Sequence, residues 1–166
     1  MSVFTPVSEP VLAEWLKDYA VGRLVELKGI SAGVQNSNFF VTTTLGRYVL
    51  TLFEDMSRAE LPYYLHLMAH LARHGLPVPG PIANRDNEYL GTLQERPAAL
   101  VVRLSGSSEM NPGLPHCERV GAMLAGLHLA GQSYGRRQDN PRGAAWRAAT
   151  AQVVRPFLPA DEQALL

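Results

Sequence analysis

The chain has 166 residues, 46% hydrophobic and 18% charged, enough for one domain with a packed core and too few for two large ones. Lys plus Arg and Asp plus Glu each number 15, giving no net charge, so the surface lacks the basic field that draws in phosphate backbones and nucleic acid is excluded as a main partner. The single cysteine, Cys117, excludes an internal disulfide framework and a multi-cysteine zinc site. The opening MSVFTPVSEP has no basic stretch leading into an apolar one, and no window approaches 18 apolar residues. The expectation is a cytoplasmic protein without a membrane partner.

In chain order, Ser8 is a candidate N-cap, and Val11, Leu12, Trp15, Leu16 and Tyr19 recur at helical spacing up to about Gly22. From Leu24 the pattern becomes period two, with Leu24, Glu26 and Lys28 alternating against Val25, Leu27 and Gly29, which predicts a half-buried strand. The small polar run SAGVQNSN follows, then strands at 39–44 and 47–53 joined by Leu45-Gly46. A helix is predicted over 58–74, stopped by Gly75, and LPVPGP reads as an extended connector. Two more strands, 89–93 and 98–104, flank QERP. SGSSEMNPG reads as a linker into a long helix from Pro115 to Gly131, with Cys117 and His128 expected on its buried side. An irregular stretch precedes a helix over 146–154, and a further helix begins near Pro159 and Asp161, where the chain stops after about one turn.

The SAGVQNSN loop has two readings from its residues alone. Small residues between antiparallel strands let backbone N–H groups approach a phosphate closely; they equally suit a hairpin loop for its own geometry. It is neither a Walker A sequence nor a dinucleotide fingerprint. His66, His70 and His74, four residues apart, read as a solvated helix face rather than a metal site, and Asp139-Asn140 as a solvated turn.

The order of elements is that of a kinase-like amino-terminal lobe. The strings GISAGVQNSNFFVTT, RYVLTLFE, LPYYLHLMAHLARHGLPVPGPI, RPAALVVRLSG, HCERVGAMLAGLHLAG and NPRGAAW occur in sequence order. Together they resemble the amino-terminal portion of homoserine kinases in the aminoglycoside phosphotransferase (kinase-like) superfamily. The resemblance implies an α+β fold: an amino-terminal lobe at 1–104, built on about five antiparallel strands, then the first helices of a helical lobe at 105–166. It implies ATP and Mg²⁺ as cofactors, L-homoserine as acceptor and a step in threonine biosynthesis. Ser31, Gly33, Gln35, Asn36 and Asn38 would then lie in or beside the loop covering the nucleotide phosphates. Val101, Val102 and Arg103 would present hinge backbone to adenine.

Where kinase lobes carry a third-strand lysine, this chain has Thr51. Glu54 or Glu60, and Arg47 or Arg58, are the charges available to compensate. The superfamily's H-G-D-x-x-x-x-N and I-D-F/W-x-x strings are absent, so no catalytic residue and no metal ligand is expected here, and the chain alone is expected to be inactive. Competing readings are a kinase for choline, methylthioribose or an aminoglycoside, and a non-catalytic nucleotide-binding or dimerising module. An exposed apolar lobe interface would favour self-association.

Overall fold

In the computed structural model, which describes residues 3–31 and 34–163, the helical spacing after Ser8 becomes α1 (Glu9–Trp15), continued by a 3₁₀ turn over Leu16–Asp18. Five strands follow: β1 (Leu24–Gly29), β2 (Asn36–Thr43), β3 (Arg47–Phe53), β4 (Gly91–Leu93) and β5 (Arg96–Val102). They form one antiparallel sheet in the order β1-β2-β3-β5-β4. Contacts divide the chain into two compact units, 1–135 and 136–166.

The pleat of the central strands decides where the core sits. Alternate residues of β2 are buried, beginning with Ser37 and continuing through Phe39, Val41 and Thr43. With Leu50 and Leu52 of β3 and Ala98 and Leu100 of β5, the apolar ones pack against Leu12, Leu16 and Tyr19. Each fully buried leucine contributes about 1.5–3 kcal/mol. On the opposite face, α2 (Leu61–Arg73) lays Leu61 and Leu65 against Ala99 and Leu90, with Phe53 and Met68 at the margin.

Several predicted strands shift: β2 begins at Asn36 rather than 39, so that Asn36 and Asn38 stand on the strand at the end of the loop, and β4 is only Gly91–Leu93. A β-bulge between Leu24 and Glu26 breaks the alternation of β1, so Leu24 and Leu27, rather than alternate residues, pack against the core. Arg96 and Pro97 belong to β5, and the turn from β4 is only Gln94-Glu95, both at positive φ (50° and 61°). Side chains other than glycine and asparagine seldom occupy such a turn, which is why QERP reads as a longer connection.

The long helix, α3 (Leu114–Gly131), belongs to the first unit and approaches α2. Tyr134 Oη donates to the Tyr63 carbonyl at 2.8 Å, and His70 Nε2 donates to the Ala130 carbonyl at 2.9 Å. The histidine row is therefore not a uniformly solvated face: His66 and His70 are half-buried, and His66 meets the edge of Tyr89. Cys117 and His128 are exposed, against the expectation of burial, because α3 buries none of its side chains.

Within the second unit, Asn140 accepts from the Arg142 and Gly143 amides and forms the turn before α4 (Ala144–Val154). A 3₁₀ turn, Arg155–Phe157, leads to α5 (Ala160–Gln163). Among the described residues no helix is long and apolar enough to cross a membrane.

Gly22, at φ 82°, joins the 3₁₀ turn to β1, and an added Cβ would lie 2.3 Å from Thr44 Oγ1. Both the left-handed backbone and the overlap penalise a side chain. Gly22→Ala is expected to lower unfolding free energy by about 2 kcal/mol in urea denaturation, with an unchanged m-value.

Candidate functional site

The face of the sheet opposite α1 carries four of the residues singled out in the sequence, Asn36, Asn38, Thr51 and Val101. Register places Asn38 beside Thr51 and Thr51 beside Ala99, and one row on, Phe40 beside Val49 and Val49 beside Val101. All belong to one face, because alternate residues of a strand point the same way. Thr51 Oγ1 donates to Asn38 Oδ1 at 2.8 Å, and Asn38 Nδ2 donates to the Asn36 carbonyl at 3.2 Å. A polar row thus lies next to an apolar one. The Arg103 guanidinium stacks 3.9 Å above the Phe40 ring at the far end.

The loop opens directly above the polar row. The Ile30 amide donates to the Asn38 carbonyl at 2.8 Å and closes its base. Ser31 and Gln35 are exposed, while Asn36 is half-buried at the start of β2. Gly33 lies outside the described residues.

At the other end of the site the backbone is already engaged. The Val102 amide donates to the Gly80 carbonyl at 2.9 Å and the Arg103 amide to the Arg47 carbonyl at 3.1 Å. Val101 pairs with Val49 on one side and bridges Pro81 on the other. Beyond this doubly paired stretch a pocket of about 260 Å³ is lined by Arg47, Arg103, Leu104, Ser105 and Gly106. A wider cavity of about 910 Å³ lies elsewhere, between the α1 turn and Leu45.

The charges considered as substitutes for a third-strand lysine and its partner are all placed elsewhere. Arg47 lies four residues before Thr51, about 13 Å along the strand. Arg58 donates to the Gly91 carbonyl at 3.2 Å and to Thr92 Oγ1 at 2.9 Å, tying the approach to α2 onto β4. Glu54 pairs with Arg96 at 3.3 Å and accepts from Ser37 Oγ at 2.6 Å, on the side of β2 turned away from Asn38. Glu60 accepts from Ser57 Oγ at 2.6 Å and from the Ser57 amide at 3.0 Å just before α2.

An apolar row beside a row of neutral donors and acceptors suits a ligand with a flat body and a polar chain. Among the described residues no three His, Cys, Asp or Glu side chains group to hold an ion.

The phosphotransferase enzyme family matches the chain over residues 26–165. The chain belongs to that family. A homoserine kinase of Paraburkholderia xenovorans (strain LB400) is 51% identical over all 166 residues, covering 50% of that relative. One of Burkholderia pseudomallei (strain K96243) is 48% identical, again over 50% of its length. The chain therefore spans about half the length of the curated relatives it matches. Among solved structures, an amicoumacin kinase in complex with AMP-PNP, Ca²⁺ and Ami superposes with a TM-score of 0.68 at 14% identity, covering 93% of this chain and 49% of that one. A spectinomycin phosphotransferase in complex with ADP and spectinomycin gives 0.65 at 14% identity, covering 90% and 47%. The α+β, kinase-like fold expected from the sequence is the fold observed.

The Ser57 bonds hold the Glu60 carboxyl below the ordinary carboxylate range. Its contribution is therefore complete above that range and disappears as pH falls through the lowered value. In Ser57→Ala the Glu60 pKa is expected to rise toward the ordinary range without reaching it, because the residue 57 amide still donates to the carboxylate, read by carboxyl NMR titration.

Proposed function

We propose that these residues form the nucleotide-binding part of an ATP-dependent homoserine kinase. The observation that carries this reading is the identity of 51% to a homoserine kinase over the whole chain, extending through loop, sheet and helices alike. In the proposed reaction the hydroxyl oxygen of L-homoserine attacks the γ-phosphorus of ATP in line, a P–O bond forms, the bond to the β-phosphate oxygen breaks with ADP leaving, and the hydroxyl proton passes to a base outside these 166 residues.

In this reading the two rows divide the nucleotide between them. Adenine lies along Phe40, Val49 and Val101, with the hinge at Val102 and Arg103 along its edge. Because the Val102 and Arg103 amides are bonded within the protein, what these residues offer the base is mainly apolar contact and carbonyl acceptors. The phosphates run toward Asn38, Thr51 and the loop holding Ser31, Gly33, Gln35 and Asn36. Neutral hydroxyl and amide groups take the place of a lysine there, so charge compensation has to come from elsewhere. Mg²⁺ does not fit the described residues, and no step here runs through it. The 166 residues hold neither the acceptor-positioning loop nor the metal-binding string of the superfamily; their share of the work is to bind and orient the nucleotide. The division into lobes at 1–104 and 105–166 belongs to the same proposal, as does a cytoplasmic location, which suits a step of amino-acid biosynthesis.

The missing strings also favour a second reading, a nucleotide-binding or self-associating module that does not catalyse. Titration calorimetry with Mg-ATP separates the two from a chain with no nucleotide site. Binding is expected, weakened about tenfold by Asn38→Ala and by Thr51→Val. With the protein carrying the complete catalytic machinery, a coupled ADP assay over several hydroxyl acceptors is expected to respond to L-homoserine. A response to choline, methylthioribose or an aminoglycoside in its place would overturn the substrate.

The apolar side chains left open on α3, among them Leu114 (87% exposed), Val120 (51%) and Leu129 (67%), support self-association of the 166 residues. Light scattering after size exclusion is expected to give a dimer or larger species; a monomer at all concentrations counts against this.

A further inference from the structure

The stretch before α1 has no part in the site as described, yet it touches both strands that carry the loop. The Phe4 and Thr5 amides donate to Ser37 Oγ at 2.8 and 2.9 Å. Ser37 in turn donates to Glu54 Oε1 at 2.6 Å, and Thr5 Oγ1 donates to Glu54 Oε2 at 3.0 Å. Arg96 closes the group through Glu54, its Nε 3.3 Å from the carboxylate and its guanidinium donating to the Glu54 carbonyl at 3.2 Å. On the other stem, Val3 packs so closely on Gly29 that an added Cβ would lie 3.2 Å from its methyl group. Gly29 is the last residue of β1 and Ser37 the second of β2, so the segment spans the base of the loop from behind.

Ser37 is fully buried, and its hydroxyl is saturated, donating once and accepting twice. Its chain neighbours Asn36 and Asn38 project to the opposite face, beside Phe53 and Thr51 respectively. Fixing Ser37 therefore fixes the height and direction of both asparagines, and fixing Glu54 holds the end of β3 that carries Thr51. We propose that the segment from Val3 to Thr5 is a tie that positions the β1–β2 loop and the Asn38–Thr51 row for the nucleotide phosphates, with Thr5, Ser37 and Glu54 as its positioning residues. The inference rests on the nucleotide reading given above, and it assigns these residues no contact with the ligand.

The test combines amide hydrogen exchange with Mg-ATP calorimetry on the whole chain. In Thr5→Val, which removes one hydroxyl and keeps the shape, the amides of Ile30 and residues 34–38 are expected to exchange about fivefold faster. The Mg-ATP dissociation constant is expected to rise by a similar factor, and Thr5→Ser, which keeps the hydroxyl, is expected to restore both. Ser37→Ala goes further, by about tenfold or more, because two amide donors lose their acceptor. Equal acceleration in α2 and β5 would make these residues merely structural and overturn the proposal. So would a loop that loosens while Mg-ATP affinity stays unchanged, or a loop whose exchange does not respond. If the loop loosens as expected but the unaltered protein binds no Mg-ATP, the mechanical tie stands and the nucleotide reading fails.

Discussion

Leu50 and Leu52 of β3, buried against Leu12 and Leu16 on the α1 side, set the orientation of everything on the other face. Since neighbouring residues in a strand point opposite ways, the packing that draws these leucines inward turns Val49, Thr51 and Phe53 outward. Pairing with β2 then brings Asn38 and Phe40 alongside. A register slip of one residue would exchange the two sets, burying Thr51 and Asn38 in an apolar core and exposing the leucines. The core thus selects the register, and the register composes the site.

The same division explains why the charged side chains near the site take no part in it. Glu54, Arg96 and Arg58 are engaged with Ser37, Glu54 and the β4 backbone respectively, and Glu60 with Ser57. Their work is to fasten segments that have little apolar surface of their own. The face left open holds neutral polar groups at the loop end and two arginines at the other. Under the nucleotide reading proposed above, phosphate charge would have to be compensated by groups outside the sheet.

The sequence made the central hairpin legible because its strands are β-branched and aromatic and its turn short: 47–53 was expected as a strand and Arg47–Phe53 is one. It misled at β1, where the bulge beside Glu26 shifts the facing of Leu27 without a glycine to announce it. It misled again at Gln94-Glu95, where two long side chains occupy left-handed backbone. Cys117 and His128 lie on what reads as an apolar stripe, but a stripe reports only what a helix is able to bury, and here α3 leaves it open. The tie through Ser37 and Glu54 had no signal at all. Residues 33 and 49 positions from Phe4 and Thr5 come together only through the register of three strands.

The prolines of the 76–81 connector have a consequence for how the sheet meets other molecules. This segment runs beside β5 past the end of β4, with Ile82 and Val102 donating across it and Pro81 bridging Val101. It completes the border of the sheet with residues that have few amide hydrogens to offer outward, Pro77, Pro79 and Pro81 having none. A stray strand approaching that border finds no continuous row of donors to zip onto. The outgoing chain at Arg103 therefore leaves beside a border of the sheet that resists templated aggregation.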